Sequence, residues 1–188
     1  MPEPKGPFSV TPLDNAALDT LFLKARTANG FLDKPVPEAL LKQVYELAAL
    51  GPTSMNTQPT RYVFLNSKEA RERLLPAMLP GNLDKTRTAP VTVIVATDTR
   101  FYEYMPQVWH REGAKENFEA NAALASATAT RNGTLGGAYF IVAARALGLF
   151  FPDGRWKANF LINLGYGDDS LLFKRNARLG FDEACRVL

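Results

Sequence analysis

Apolar positions along the chain change period several times, and each change marks an element. Leu18, Leu21, Phe22 and Ala25 recur at helical spacing after Thr11-Pro12-Leu13-Asp14. That tetrapeptide reads as a helix start, with a capping Thr, Pro in the first turn and an acid three residues after the cap. The apolar face is expected to meet a core, and the helix delivers Arg26 at its end. A second helix is predicted from Pro37-Glu38, with Leu40, Leu41, Val44, Leu47 and Ala48 on one face and Gly51-Pro52 as its stop. Tyr62-Val63-Phe64-Leu65 reads as a strand, and Asn66-Ser67-Lys68-Glu69 caps a further helix to about Leu75. Leu79 to Thr88, which holds Pro80, Gly81 and Asn82, is expected to be a loop.

Pro90 to Ala96 is an almost unbroken β-branched run, the pattern of a strand buried on both faces. Asp98 to about Glu119 mixes aromatic and charged residues, so short helices and irregular backbone are expected there, as a lid over a site. From about Asn121 to Leu147 one long helix is predicted, with small residues such as Ala125, Gly133, Gly136 and Gly137 throughout. At ~1.5 Å per residue it would be roughly 40 Å long. It either packs against a second subunit or runs buried through the centre of its own. Phe160 to Gly167 reads as another central strand ending in a glycine turn. Helices and strands mix without βαβ alternation, which makes the fold class α+β. At 188 residues the chain suits a single domain over 1–188, with disorder expected at the proline-rich start, residues 1–10.

The densest polar stretch is Gly51-Pro52-Thr53-Ser54-Met55-Asn56-Thr57-Gln58-Pro59, between the second helix and the first strand. Two prolines stiffen it and five hydrogen-bonding side chains fill it, as befits a loop that holds a cofactor on a rigid scaffold. A plain helix-to-strand connector is the alternative. Its company, Arg26-Thr27-Ala28-Asn29-Gly30-Phe31 upstream and Asn82-Leu83-Asp84-Lys85 downstream, favours the cofactor reading.

Composition narrows the classes. A 46% hydrophobic and 22% charged chain is globular in character. No apolar run approaches the roughly 18 to 20 residues that span a bilayer. The start lacks the basic-then-apolar pattern of a signal peptide, so a cytoplasmic location and no membrane partner are expected. One cysteine, Cys185, excludes an internal disulfide and a Cys-rich metal site, and one histidine, His110, excludes a two-His site, so no metal is expected. The net charge of +3 comes from scattered Lys and Arg, which argues against nucleic acid as a partner. A mixed surface, or a few arginines converging on a small anion, explains it as well. No nucleophile–base pair is visible, so no residue is assigned as catalytic; His110 is a surface histidine or a proton donor to substrate. Arg100, Tyr102 and Arg131 are further candidates to grip a substrate carboxylate.

With these motifs in this order, the chain resembles the nitroreductase family of flavin-dependent reductases from about Leu18 to Glu183. Within that family it is similar to the RutE-type malonic semialdehyde reductases of pyrimidine degradation. The likeness is carried by Arg26 to Asp33, Gly51 to Pro59, Pro80-Gly81-Asn82, Asp98 to Glu103, Arg131-Asn132-Gly133, and Phe150 to Lys157 with Gly165-Tyr166-Gly167. The resemblance implies a central mixed or antiparallel sheet flanked by helices in a domain-entwined homodimer. It implies FMN in each of two sites at the subunit interface and NADH or NADPH as hydride donor. The substrate implied is a small molecule: malonic semialdehyde reduced to 3-hydroxypropionate, or alternatively a nitroaromatic or quinone. A flavin-binding or interaction protein without turnover is the reading from another class.

The resemblance also assigns residues. Arg26 and Thr27 fall at the family's phosphate side, where a planar guanidinium suits a phosphate. Asn29 falls where many members carry a cation. Arg175 and Arg178 match the basic cluster that closes on the same phosphate. Asn82 and Lys85 match the pair beside the ribityl chain and the pyrimidine edge, where Lys85 would stabilise reduced flavin. Pro52, Thr53, Ser54, Asn56 and Gln58 match a loop whose first part reaches the other subunit's flavin. Thr60 stands where many nitroreductases carry Trp, which points to a small substrate rather than a flat aromatic. A family loop of ~15 to 20 residues is missing between Leu149 and Phe150. Either the loop is lost, with part of the flavin floor, or the recorded sequence omits it; the second is the reading adopted.

Overall fold

The computed structural model describes residues 11–149 and 160–171. The disorder expected for residues 1–10, the missing stretch after Leu149, Arg175, Arg178 and Cys185 all fall on or against positions outside the described residues. The first helix is short. α1 (Asn15–Leu18) is capped by Asp14, whose Oδ1 accepts the Ala17 N–H at 2.8 Å. Asp14 thus takes the capping role expected of Thr11, because its carboxylate sits three residues before an open amide. The helix widens into a π-type turn over Asp19–Leu23. Neither segment buries a residue fully, and Phe22 is 54% exposed. The expected core face is therefore only partly used within one chain.

α2 (Glu38–Ala48) buries Leu41, Val44 and Ala48 and leaves Leu47 exposed. β1 (Thr60–Leu65) follows, then α3 (Lys68–Leu74), capped by Ser67 Oγ accepting the Ala70 N–H at 3.1 Å. The stretch expected as a loop contains a helix, α4 (Leu83–Thr88), preceded by a 3-10 turn at Pro80–Asn82. Pro80 and Gly81 start that turn rather than break structure, since proline suits a first turn. β2 (Val91–Thr97) is the buried run anticipated from its β-branched residues. Short helices fill the mixed segment: a 3-10 turn at Phe101–Tyr104, α5 (Met105–Val108) and α6 (Ala114–Glu119). α7 (Ala122–Ala146) is the predicted long helix, capped by Asn121 Oδ1 accepting the Leu124 N–H at 2.9 Å.

β3 (Phe160–Leu164) completes an antiparallel sheet of order β1-β2-β3 among the described residues. β3 flanks β2 in the described sheet, and residues 161–164 are buried. Register pairs Thr60 with Thr97 and Leu65 with Thr92 on one side, and Val91 with Leu164 on the other. α7 crosses the sheet with α2 beside it. Phe140 stacks on Tyr62 at 4.8 Å, and Val44, Val93, Val95, Ala144 and Ile162 close the core around it. A smaller core gathers Phe101, Met105 and Phe118 over Ala125 and Ala129 at the N-terminal half of α7.

Candidate functional site

The 51–59 loop is wound tightly. Met55 (φ 52°), Asn56 (φ 53°) and Gln58 (φ 41°) all have left-handed backbone, which costs non-glycine residues of order 1 kcal/mol each and concentrates at functional sites. Side chains hold the conformation. Thr53 Oγ1 accepts the Gln58 N–H at 3.2 Å. The Gln58 amide donates to Asn56 Oδ1 at 2.9 Å, and Asn56 Nδ2 donates to the Val108 carbonyl at 2.9 Å. Asn132 Oδ1, from the middle of α7, accepts the Ser54 N–H at 2.8 Å. At the loop's exit, Thr60 Oγ1 donates to the Gly133 carbonyl at 3.3 Å and Tyr62 OH to the Gly136 carbonyl at 2.9 Å. Burial pushes the Tyr62 phenol up to about 12, so it stays a neutral donor at ordinary pH. Arg61 pairs with Asp98 at 2.7 Å and ties β1 to the chain leaving β2.

Asn56 therefore spends both ends of its amide inside the protein. The Ser54 hydroxyl makes no hydrogen bond among the described residues and is available to a ligand. Two buried polar atoms, Thr57 Oγ1 and Trp109 Nε1, also have no partner among the described residues. They lie on this loop and on the segment Asn56 fastens to it.

The other predicted residues lie elsewhere. Arg26 is half-buried and lines a cavity of about 370 Å³ with Lys24, Asp19 and Arg145, the last from the C-terminal turn of α7. Thr27 is exposed. Asn29 Nδ2 donates to the Leu171 carbonyl at 3.1 Å, and Phe31 bridges Gly167, so the 26–31 segment packs beyond the end of β3. Asn82 and Lys85 are half-buried on the first turn of α4 and just before it. The Asn82 side chain makes no capping bond, and Lys85 forms no ion pair among the described residues.

Sheet register separates these groups. The loop enters β1 at Thr60, whereas α4 enters β2 at Val91, beside Leu164 and the 26–31 segment. The two ends of β1 are five residues apart, about 17 Å at the usual rise per residue. Pro52, Thr53, Ser54, Asn56 and Gln58 thus stand at one end of the sheet. Arg26, Thr27, Asn29, Asn82 and Lys85 stand at the other. One chain does not bring them together.

Sequence reasoning missed several supports. Asn163 lies 6% exposed in β3; its Oδ1 accepts the Thr92 hydroxyl at 2.6 Å and its Nδ2 donates to Thr86 Oγ1 at 3.1 Å. Thr86 adjoins Lys85, so this buried network fixes the turn that carries the lysine. A lone Asn in the apolar run Phe160-Leu161-Ile162-Asn163-Leu164 was the available signal. Arg145 and Lys24 beside Arg26 had no sequence signal, because only folding brings α7's last turn to the first helix. Among the described residues no cluster of His, Cys, Asp and Glu could hold a metal, and no helix is long and apolar enough to cross a membrane.

A sheet packed on one long helix, with polar residues at both of its ends, is the arrangement of a known fold. The chain belongs to the nitroreductase family, whose model matches residues 23–159. It is 50% identical over 191 aligned positions to the "Putative NADH dehydrogenase/NAD(P)H nitroreductase" of Stenotrophomonas maltophilia, covering 93% of this chain and 97% of that protein. A relative of like name from Ralstonia nicotianae is 47% identical over 192 positions, with 94% and 98% covered. The fold matches a "putative nitroreductase in complex with FMN" from Exiguobacterium sibiricum (TM-score 0.80, 17% identity, 96% of this chain and 100% of that one). It also matches a nitroreductase family protein from Streptococcus pneumoniae (TM-score 0.74, 21% identity, 88% and 96%). The Stenotrophomonas alignment spans 191 positions, while 93% of 188 residues supplies about 175. About 16 positions of that relative therefore have no counterpart here.

Proposed function

We propose that the protein is an FMN-dependent NAD(P)H oxidoreductase that works as a homodimer and reduces malonic semialdehyde. The observation that carries the dimer is the separation of the site's two halves across the sheet. A second copy, related by a two-fold axis, can bring the 53–58 loop of one chain to the 26–29 and 82–85 groups of its partner. The chain's residues fit FMN. Arg26, with Arg145 near it and Lys24 paired to Asp19 beside it, suits a phosphate dianion; Lys85, half-buried and without an ion pair among the described residues, suits the electron-rich pyrimidine edge; Asn82 and the Ser54 hydroxyl have polar capacity left to give. Bound FMN supplies hydride transfer between the nicotinamide and the acceptor. The protein's part is to bind, orient and exclude water.

The resemblance supports a small acceptor, since Thr60 stands where many nitroreductases carry Trp; its own side chain packs on α7 at Gly133 and Gly136. The relatives' names favour a second reading, a nitroaromatic or quinone reductase. The unmatched 16 or so positions favour a third, flavin binding without turnover. Reconstitution with FMN, followed by solution mass and NAD(P)H oxidation with malonic semialdehyde, a quinone and a nitroaromatic, separates them. A dimer holding one flavin per chain and preferring the aldehyde is expected. A monomer that retains flavin sinks the composite site, preference for the flat acceptors moves the function to the second reading, and bound flavin without turnover moves it to the third.

A further inference from the structure

Asn132 is the buried polar residue of α7 whose two amide ends serve different elements. It is 6% exposed. Its Nδ2 donates to the Thr128 carbonyl at 2.9 Å, one turn back in the same helix, and its Oδ1 accepts the Ser54 N–H at 2.8 Å. The first bond fixes the side-chain rotamer and decides which end faces the loop. The second is the tie from α7 to the loop ahead of its three left-handed residues. Thr60 and Tyr62 grip the same helix behind them, at Gly133 and Gly136. The loop's own bonds, Asn56 N–H to the Thr53 carbonyl at 3.0 Å and Thr57 N–H to the Ser54 carbonyl at 3.1 Å, form only once Thr53 and Ser54 are in place.

We infer that Asn132 is a positioning residue. By holding the Ser54 amide it keeps residues 53–58 in the wound conformation that presents the Ser54 hydroxyl, and so makes the loop competent to receive FMN before FMN arrives. The inference rests on the flavin-binding reading above, yet the winding itself can be tested without flavin. A loop with three left-handed residues, released at its leading end, relaxes toward ordinary backbone. Flavin must then rewind it at the expense of affinity.

The test uses the full-length protein in three forms: wild type, Asn132→Leu, which is close in size and removes both bonds, and Asn132→Asp, which keeps the acceptor for Ser54. Should the leucine form fail to fold, Ser54→Pro removes the same N–H from the loop side, where the extended Thr53 (φ −133°, ψ 152°) tolerates a following proline; because it also removes the Ser54 hydroxyl, it is read by amide exchange alone. Backbone amide exchange over 53–58 is measured by mass spectrometry without flavin, and FMN affinity by quenching of its fluorescence. The leucine form is expected to exchange the loop amides faster and to bind FMN about ten-fold more weakly, the loss of one buried hydrogen bond, with substantial rescue in the aspartate form. Unchanged exchange over 53–58 overturns the clamp. Faster exchange with unchanged FMN affinity overturns the positioning role. Wild type that takes up no FMN sinks the flavin reading instead, while the exchange comparison still decides the clamp.

Discussion

Replacing Gly136 by Ala sets two known effects against each other. Alanine is favoured over glycine inside a helix by about 1 kcal/mol, and α7 has no other reason to refuse it. However, a Cβ at 136 would overlap the Thr60 hydroxyl and lie 3.0 Å from Thr60 Cβ and 3.3 Å from its Cγ2. Turning χ1 of Thr60 cannot relieve the 3.0 Å approach to its Cβ, and its backbone is fixed by pairing with Thr97. Helix and strand must therefore move apart, an overpacking cost of about 1 to 3 kcal/mol. The overpacking wins, leaving a net loss of up to about 2 kcal/mol and a melting temperature lower by up to roughly 8 °C. Thr60→Ala removes both offending branches and should restore most of that loss, so thermal and urea unfolding of the two single variants and the double variant would show a coupling of about 1 to 2 kcal/mol. A Gly136→Ala protein more stable than wild type, with no coupling to Thr60, would refute the close approach of α7 and β1 at the loop's exit.

Asn163→Leu strands two buried threonine hydroxyls and should cost about 2 to 4 kcal/mol, read as a lower urea midpoint; a loss under about 0.5 kcal/mol would mean that the Thr86–Asn163–Thr92 network is not formed. Tyr62 ionises late, at about 12 against 10.0 when unfolded, so its contribution to stability is whole below pH 10 and fades as pH rises toward 12. The Tyr62→Phe protein should lose stability less steeply across that window, and equal slopes would contradict the burial of the phenol. Lys85→Met should lower the two-electron potential of bound FMN by about 30 mV, a ten-fold preference in redox state, measured by dye equilibration. An unchanged potential would place Lys85 away from the flavin.

Elements whose signal is local were legible in the sequence. The β-branched run at 91–96 and the small-residue stretch of α7 announced themselves within one to three residues of their ends, as did the cap at Ser67. Failures came where a residue has two uses. Pro80 and Gly81 punctuate loops and also open helices, so α4 was hidden. Asp14 and Thr11 can each cap, and only the backbone path selects Asp14. Phe22 looked like core because apolar spacing shows that a face is covered without showing by which chain. Of the site, the loop and the Asn82–Lys85 pair were readable as motifs. Their placement at opposite ends of one sheet was not, since strand register lies beyond any local pattern.

The long helix imposes a rule on changes of chain length. Ala125 and Ala129 face the small core, Asn132, Gly133 and Gly136 face the loop and β1, and Phe140 and Ala144 face the main core, all on one stripe. One residue inserted or deleted anywhere along that stripe rotates everything beyond it by about 100°, which no side chain can correct. A change of seven residues leaves a drift of only about 20°. Descendants of this chain can therefore lengthen or shorten their connections freely, but α7 can change length only by steps that bring its stripe back into phase, such as about seven or eleven residues, together with the strand and small core that it spans.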